Sequence, residues 1–294
     1  MRRVPPTRVG CVVRPQHGPE VLPAVARAAD AAGLQELWLW EDCFLHGGIA
    51  SAATVLSHSQ SLAVGIGVLP VPLRSVAATA MEIATLGRLF PGRVKLGVGH
   101  GVQEWMAQIG ESVASPLTLL REYLRCLRRL LDGESVTFAG RYVDLDGVRL
   151  GWPPLDRIEL FAAATGPRTL AVSGELADGT ILTSGTTPAG VVEAVRRIGR
   201  GAGAAASPHR VVAYLPCVPG KDVVDDIRKE LDHWGFAGSP DDLAVSGTAA
   251  EIAHAAQSWI AAGVDTVVLQ PTAGHDPVAF VDFVGRHIQP ALIS

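Results

Sequence analysis

Trp40-Glu41-Asp42-Cys43-Phe44-Leu45-His46 puts two carboxylates, a thiol and an imidazole directly after a short apolar run. A carboxylate such as Asp42 in a pocket accepts a hydrogen bond from a cofactor hydroxyl or amide, and an imidazole such as His46 exchanges a proton near neutral pH. The plainer reading has Asp42 capping the next helix and His46 in solvent.

Three glycine-rich stretches suit a close backbone approach to a ligand. Leu96-Gly97-Val98-Gly99-His100-Gly101 alternates three glycines and adds a histidine, so its amides can face a bound ring or phosphate without Cβ interference. It is not the dinucleotide fingerprint, because Gly97-x-Gly99 is followed by Gly101 and not by a glycine three residues on. His100 serves equally as a ligand contact or as a structural hydrogen-bonder. In Val64-Gly-Ile-Gly67-Val68-Leu-Pro70, a bulge at Gly67 and Val68 would support a flat ring, although glycine at a strand end more often marks a turn.

Ala163-Ala164-Thr165-Gly166-Pro167 and Thr183-Ser184-Gly185-Thr186-Thr187-Pro188 are small-residue turns, each entering a helix at a proline. Helix amino termini carry unpaired amides that bind anions. One such turn would be ordinary capping, whereas two on neighbouring strands favour a shared phosphate. Zinc chemistry finds no His-x-x-x-His set, and a serine hydrolase finds no Gly-x-Ser-x-Gly elbow.

The elements that must position these residues alternate. Short β-branched runs at Arg8 to Val13, Glu36 to Trp40, Leu62 to Leu69, Val94 to Val98, Ile158 to Ala163, Thr180 to Thr183, Val211 to Cys217 and Thr266 to Leu269 are separated by alanine-rich stretches of helical period. Helices are expected at about Glu20 to Ala32, Ile49 to His58 and Ser75 to Leu89, and after Pro167, Pro188, Lys221 and Pro277. Eight such units give a (β/α)8 barrel with its chemistry at the carboxyl ends of the strands. Residues 102–157 form an insertion between strands four and five, with a helix around Leu117 to Leu131 and a hairpin around Gly140. Thr248 and Glu251 form a capping box opening a helix that Gly263 ends.

Hydrophobic residues make up 48% of the 294 and charged residues 18%, which suits a large buried core, here read as one domain over 1–294. A net charge of -4 without a basic stripe argues against a nucleic-acid partner. Cys11, Cys43, Cys126 and Cys217 are dispersed and expected to be reduced. No apolar run approaches the roughly 20 residues that span a bilayer, so a cytoplasmic protein with no membrane partner is expected.

Pro91-Gly-Arg93-x-x-Leu96-Gly-Val-Gly99-His-Gly101, Ala163-Ala-Thr-Gly166-Pro167-Arg-Thr-Leu, Gly174-Glu-Leu-Ala-Asp178-Gly179 and Thr183-Ser-Gly185 follow one another in an order that resembles the bacterial luciferase-like superfamily, most closely its coenzyme F420-dependent oxidoreductases. The resemblance implies a barrel holding the deazaflavin ring in its mouth against a bulge that often contains a non-prolyl cis peptide, here at Gly67 and Val68. It places His100 and Gly101 at the cofactor, Ala163, Ala164, Gly166, Thr183, Ser184 and Gly185 at its phosphate, and Asp42 near the ring. It further implies hydride transfer between the deazaflavin C5 and a small organic substrate, with Asp42, His46 or Glu104 managing the proton, Glu104 and Trp105 covering the substrate, and a homodimer. An FMN-dependent monooxygenase and a non-catalytic flavin-binding protein are the alternatives. Cys43 and Val102 replace the histidine and glutamate of the sugar-phosphate dehydrogenases, which counts against glucose 6-phosphate as substrate.

Overall fold

The computed structural model describes residues 7–202, 208–220, 224–236 and 238–293. Lys221, named above as a helix start, lies outside them. The strands are β1 (Arg8–Val13), β2 (Glu36–Leu39), β3 (Ala63–Pro70), β4 (Val94–Gly99), β5 (Val136–Ala139), β6 (Asp144–Val148), β7 (Glu159–Ala163), β8 (Gly179–Leu182), β9 (Arg210–Pro219), β10 (Val245–Gly247) and β11 (Thr266–Gln270). The helices are α1 (Leu22–Ala31), α2 (Gly48–Ser57), α3 (Val76–Leu89), α4 (Gln103–Gln108), α5 (Pro116–Leu131), α6 (Pro167–Leu176), α7 (Pro188–Ala202), α8 (Val224–His233), α9 (Pro240–Leu243), α10 (Ala249–Ala262), α11 (Pro277–Phe283) and α12 (Gln289–Ile293).

Strands β1, β2, β3, β4, β7, β8, β9 and β11 pair in that order, all parallel, and β11 returns to β1 to close the barrel. Because each strand is covered on both faces, its burial is nearly continuous and alternation decides only which side chains point inward. Val12, Trp38, Phe161, Ile181, Val212, Tyr214 and Val268 form the cluster inside the barrel, joined by Trp40, Val68 and Ala163. Their neighbours Cys11, Leu37, Leu160, Ala213 and Val267 belong to the larger layer between strands and helices. Burying each large aliphatic side chain there contributes roughly 1.5–3 kcal/mol.

Glycine makes room for the largest inward residue. A Cβ on Gly65 would lie 2.5 Å from the Trp38 ring, which fills the barrel interior with no exposure. At the amino ends of the strands, buried Glu36 accepts from Trp38 Nε1 at 3.0 Å and pairs with Lys95 at 3.2 Å and Arg8 at 3.4 Å, closing the floor opposite the mouth.

The insertion holds α4 and α5, with β5 and β6 as the expected hairpin. Glu122 on α5 accepts the amides of Arg141, Tyr142 and Val143 at 2.8 to 3.0 Å, which pins the hairpin turn and holds its carboxyl below the usual range despite burial acting the other way. The capping box is present, with Thr248 and Glu251 bonded reciprocally and Gly263 ending α10 at φ 116°. Two expectations need adjustment. Val245–Gly247, just before that cap, is the additional parallel strand β10, paired with the end of β9, which runs to Pro219 and not to Cys217. Trp40 lies just beyond β2. Among the described residues, no helix is long and apolar enough to cross a membrane.

Candidate functional site

A cavity of about 380 Å³ opens at the carboxyl ends of the barrel strands. Trp40 and Asp42 follow β2, and Gly67 and Val68 come from the β3 bulge. Gly99 ends β4 and His100 and Gly101 follow it, Ala163 ends β7 and Ala164 follows it, and Thr183 and Ser184 follow β8. Nine of the residues singled out in the sequence thus share one wall: Asp42, Gly67, Val68, His100, Gly101, Ala163, Ala164, Thr183 and Ser184.

The β3–β4 register shifts between Ile66 and Leu69, which is the bulge, and the Gly67–Val68 peptide is cis. The Gly67 carbonyl accepts from the buried Tyr214 hydroxyl at 3.0 Å, and a Cβ on Gly67 would fall on that hydroxyl. Gly99 faces Val68 so closely that an added Cβ would sit 2.9 Å from its Cγ2. Gly101 adopts φ +70°, a conformation that favours glycine. At these positions the backbone itself lines the cavity, and a Cβ would have little or no room.

The Glu41–Asp42 pair divides its work. Glu41 receives Arg74 at 2.6 and 3.1 Å and the Gly48 amide at 2.7 Å, so it seats the start of α2 with its charge matched. Asp42 lines the cavity, and its buried Oδ2 has no hydrogen-bond partner. Burial pushes its carboxyl above the usual range, while a hydrogen bond from Gln16 and the charge of Arg14 oppose the shift. His100 is also largely buried, which lowers its pKa and keeps the imidazole neutral at pH 7, with Nε2 3.2 Å from Thr169 Oγ1. The structure therefore offers one neutral imidazole and one carboxyl of raised proton affinity.

Four expected residues lie elsewhere. The chain turns after Asp42, whose carbonyl accepts the Leu45 amide at 2.8 Å, and this carries His46 away to α2, where Nδ1 meets Ser51 Oγ at 2.7 Å. Burial lowers the His46 pKa, and the residue does not line the cavity where it was expected to exchange a proton. Glu104 sits exposed on the first turn of α4 outside the cavity, whereas its neighbour Trp105 lines it. Gly185 faces a second space of about 330 Å³ between the starts of α6 and α7, with Thr165, Thr186, Thr187 and Arg197. That space shares Ala164 and Thr165 with the main cavity. Gly166 caps the start of α6 and lines neither space.

Tyr214, Trp234, Phe236 and Gln270 also line the cavity, although none belongs to a motif of the sequence. Tyr214 stands edge-on to Trp40 at 5.5 Å and 87°, and Trp234 does so at 6.2 Å and 86°. Period-two alternation along β9 and β11 points Tyr214 and Gln270 inward once one inward residue of each strand is known. The nearby Trp234-Gly235-Phe236, aromatic residues in a polar stretch, was the other available signal. Among the described residues, no group of three or more His, Cys, Asp and Glu could hold a metal ion.

The luciferase-like monooxygenase family model matches residues 5–265. A 5,10-methylenetetrahydromethanopterin reductase of Methanolobus tindarius is 30% identical over 88% of this chain and 73% of its own. An F420-dependent glucose-6-phosphate dehydrogenase of Nakamurella multipartita is 32% identical over 63% of this chain and 58% of its own. Among solved structures, an F420-dependent secondary alcohol dehydrogenase in complex with an F420–acetone adduct superposes with a TM-score of 0.86 at 20% identity, covering 98% of this chain and all of that one. At that identity the likeness speaks for the fold.

Proposed function

The chain belongs to the luciferase-like monooxygenase family, a family of enzymes, and from that premise we propose that it exchanges a hydride between C5 of coenzyme F420 and a small organic substrate in the barrel mouth. The observation that carries this reading is the convergence of the ends of β2, β3, β4, β7, β8 and β11 on one cavity that is lined by glycine backbone and by a buried, partnerless carboxylate oxygen on Asp42. Relatives whose names include F420 dependence supply the choice of deazaflavin.

These residues fit such a group. Gly67, Val68, Gly99 and Gly101 would bear a flat ring, because the three glycines present backbone to the cavity and leave little or no room for a Cβ. Ala163, Ala164, Thr183 and Ser184 would line the path of its side chain toward the gap between α6 and α7, where helix amino termini favour a phosphate. When bound, the deazaflavin would supply the hydride-exchanging carbon, and the protein supplies orientation and electrostatics.

What remains for this chain is to orient and to hold a proton. Asp42 Oδ2, buried and unpaired, is placed to accept a hydrogen bond or hold a proton at the cavity wall. His100, kept neutral by burial, offers a hydrogen bond without adding charge. Trp40, Trp105, Trp234 and Phe236 exclude water and present apolar faces to the substrate. Cys43 does not line the cavity and Val102 brings no carboxylate, so the proton chemistry proposed for this chain centres on Asp42.

Titration of the purified protein with F420 and, separately, with FMN tests the reading. Saturable deazaflavin binding tighter than FMN, with cofactor reduction or oxidation by members of a panel of alcohols, enones and imines, is the expected result. Tighter FMN binding with no measurable deazaflavin binding refutes it.

A further inference from the structure

Segment 224–236 is joined to the barrel by two different kinds of contact. Helix α8 sets Ile227 and Leu231 against Val218, Leu243 and Ala244, a small apolar cluster separate from the main core. The second tie is Glu230, which is 8% exposed. Its Oε1 accepts from Arg14 Nη1 at 2.6 Å, Trp234 Nε1 at 2.8 Å and Gln270 Nε2 at 3.5 Å.

These donors come from different elements. Arg14 follows β1 and is 2% exposed; it also donates to the Pro271 carbonyl at 3.2 Å and to Gln16 Oε1 at 3.3 Å. Gln270 ends β11 and accepts, through Oε1, from Ser184 Oγ. Trp234, one helical turn beyond Glu230, thereby stands edge-on to Trp40 at the cavity wall.

A buried ion pair loses hydration on folding, so the attraction between Arg14 and Glu230 is not by itself what secures the segment. What the polar arrangement adds is direction, because the segment must sit where Arg14 and Gln270, both outside it, reach the carboxylate oxygen that its own Trp234 already holds. We propose that Glu230 is a positioning residue that locks segment 224–236 over the barrel mouth and, through Gln270 and Ser184, couples that lock to the occupant of the cavity. The coupling rests on the cofactor reading above; the lock does not.

Hydrogen exchange of the ligand-free protein tests the lock, comparing wild type with Glu230→Gln and with the apolar pair Arg14→Met/Glu230→Leu. Amides of 224–236 should exchange at least tenfold faster in both variants, while those of β1 and β11 change less than twofold. Unchanged exchange in the segment, or acceleration shared equally by the barrel strands, overturns the lock. Should Glu230→Gln fail to fold, the apolar pair decides.

Deazaflavin affinity tests the coupling. Glu230→Gln should raise Kd at least fivefold, and combining it with Ser184→Ala should be no more than twofold worse than the stronger single change. An unchanged Kd, or single effects that multiply, overturns it. If wild type binds FMN and no deazaflavin, the cofactor reading fails, and the same cycle with FMN decides the coupling.

Discussion

Gly99→Ala is a one-carbon test of where the ring lies. Gly99 has no positive φ, so alanine meets no backbone penalty there and space alone matters. The added Cβ would stand 2.9 Å from Val68 Cγ2 and 3.4 Å from Ala163 Cβ, against an ordinary carbon–carbon separation of about 3.5–4.0 Å. Val68 must therefore yield by roughly half an ångström. Val68 and Ala163 both line the cavity, so the displacement has open space to move into and the cost in stability should fall near the low end of overpacking, about 1 kcal/mol. The same movement intrudes on the cavity floor, and deazaflavin Kd should rise tenfold or more, about 1.4 kcal/mol. Urea denaturation gives the first number and cofactor fluorescence the second. Gly199→Ala is the control, since it lies on α7 with nothing within 4 Å, and it should add about 0.5–1 kcal/mol of stability through helix propensity without changing Kd. A Gly99→Ala protein that loses stability yet binds the deazaflavin within twofold of wild type would refute the placement of the ring against this glycine.

Asp42→Asn should raise the thermal midpoint at pH 7 while lowering hydride exchange. Burial raises the carboxyl's folded pKa, so its ionised form is the disfavoured one; the gain should fade as pH falls through that raised value toward 3.8, and a lower midpoint at pH 7 would show that the carboxylate is matched by a partner. His209, with Nε2 at 2.8 Å from Thr180 Oγ1, has its pKa lowered to about 4, chiefly by burial. The unfolded chain then binds the extra proton between pH 6.5 and 4, so this contribution is complete above 6.5 and lost on acidification, about 2–3 kcal/mol by pH 4.5. Urea midpoints at pH 7 and 4.5 should show that loss in wild type and a shallower one in His209→Gln; equal slopes would contradict the assignment.

The site was legible wherever its chemistry depended on small residues at strand ends. Gly67, Gly99, Gly101, Ala163, Ala164, Thr183 and Ser184 are adjacent to strands that hydrophobic pattern alone located, and the barrel rule sends all of those ends to one mouth. His46 and Glu104 were misplaced for a different reason. Each is three or four residues beyond a strand-end residue that does line the cavity, and local spacing does not reveal that the chain turns at Asp42 or that α4 exposes Glu104 and buries Met106. Trp234 and Phe236 reach the cavity from a segment that lies well beyond Thr183 and Ser184 in the chain, and no periodicity links them to the motifs.

The alternation of β-branched and alanine-rich runs determined the barrel, because a strand buried on both faces and a helix buried on one have distinct patterns that need no knowledge of their partners. The turn residues determined where helices start and stop, as Thr248, Glu251 and Gly263 show. Only the tertiary structure decided which of two adjacent carboxylates is free. Glu41 is matched by Arg74, thirty-three residues away, and Glu230 by Arg14, two hundred and sixteen away, whereas Asp42 Oδ2 is left unpaired. Charge pairing and desolvation act across space, and a linear order of residues does not contain those distances.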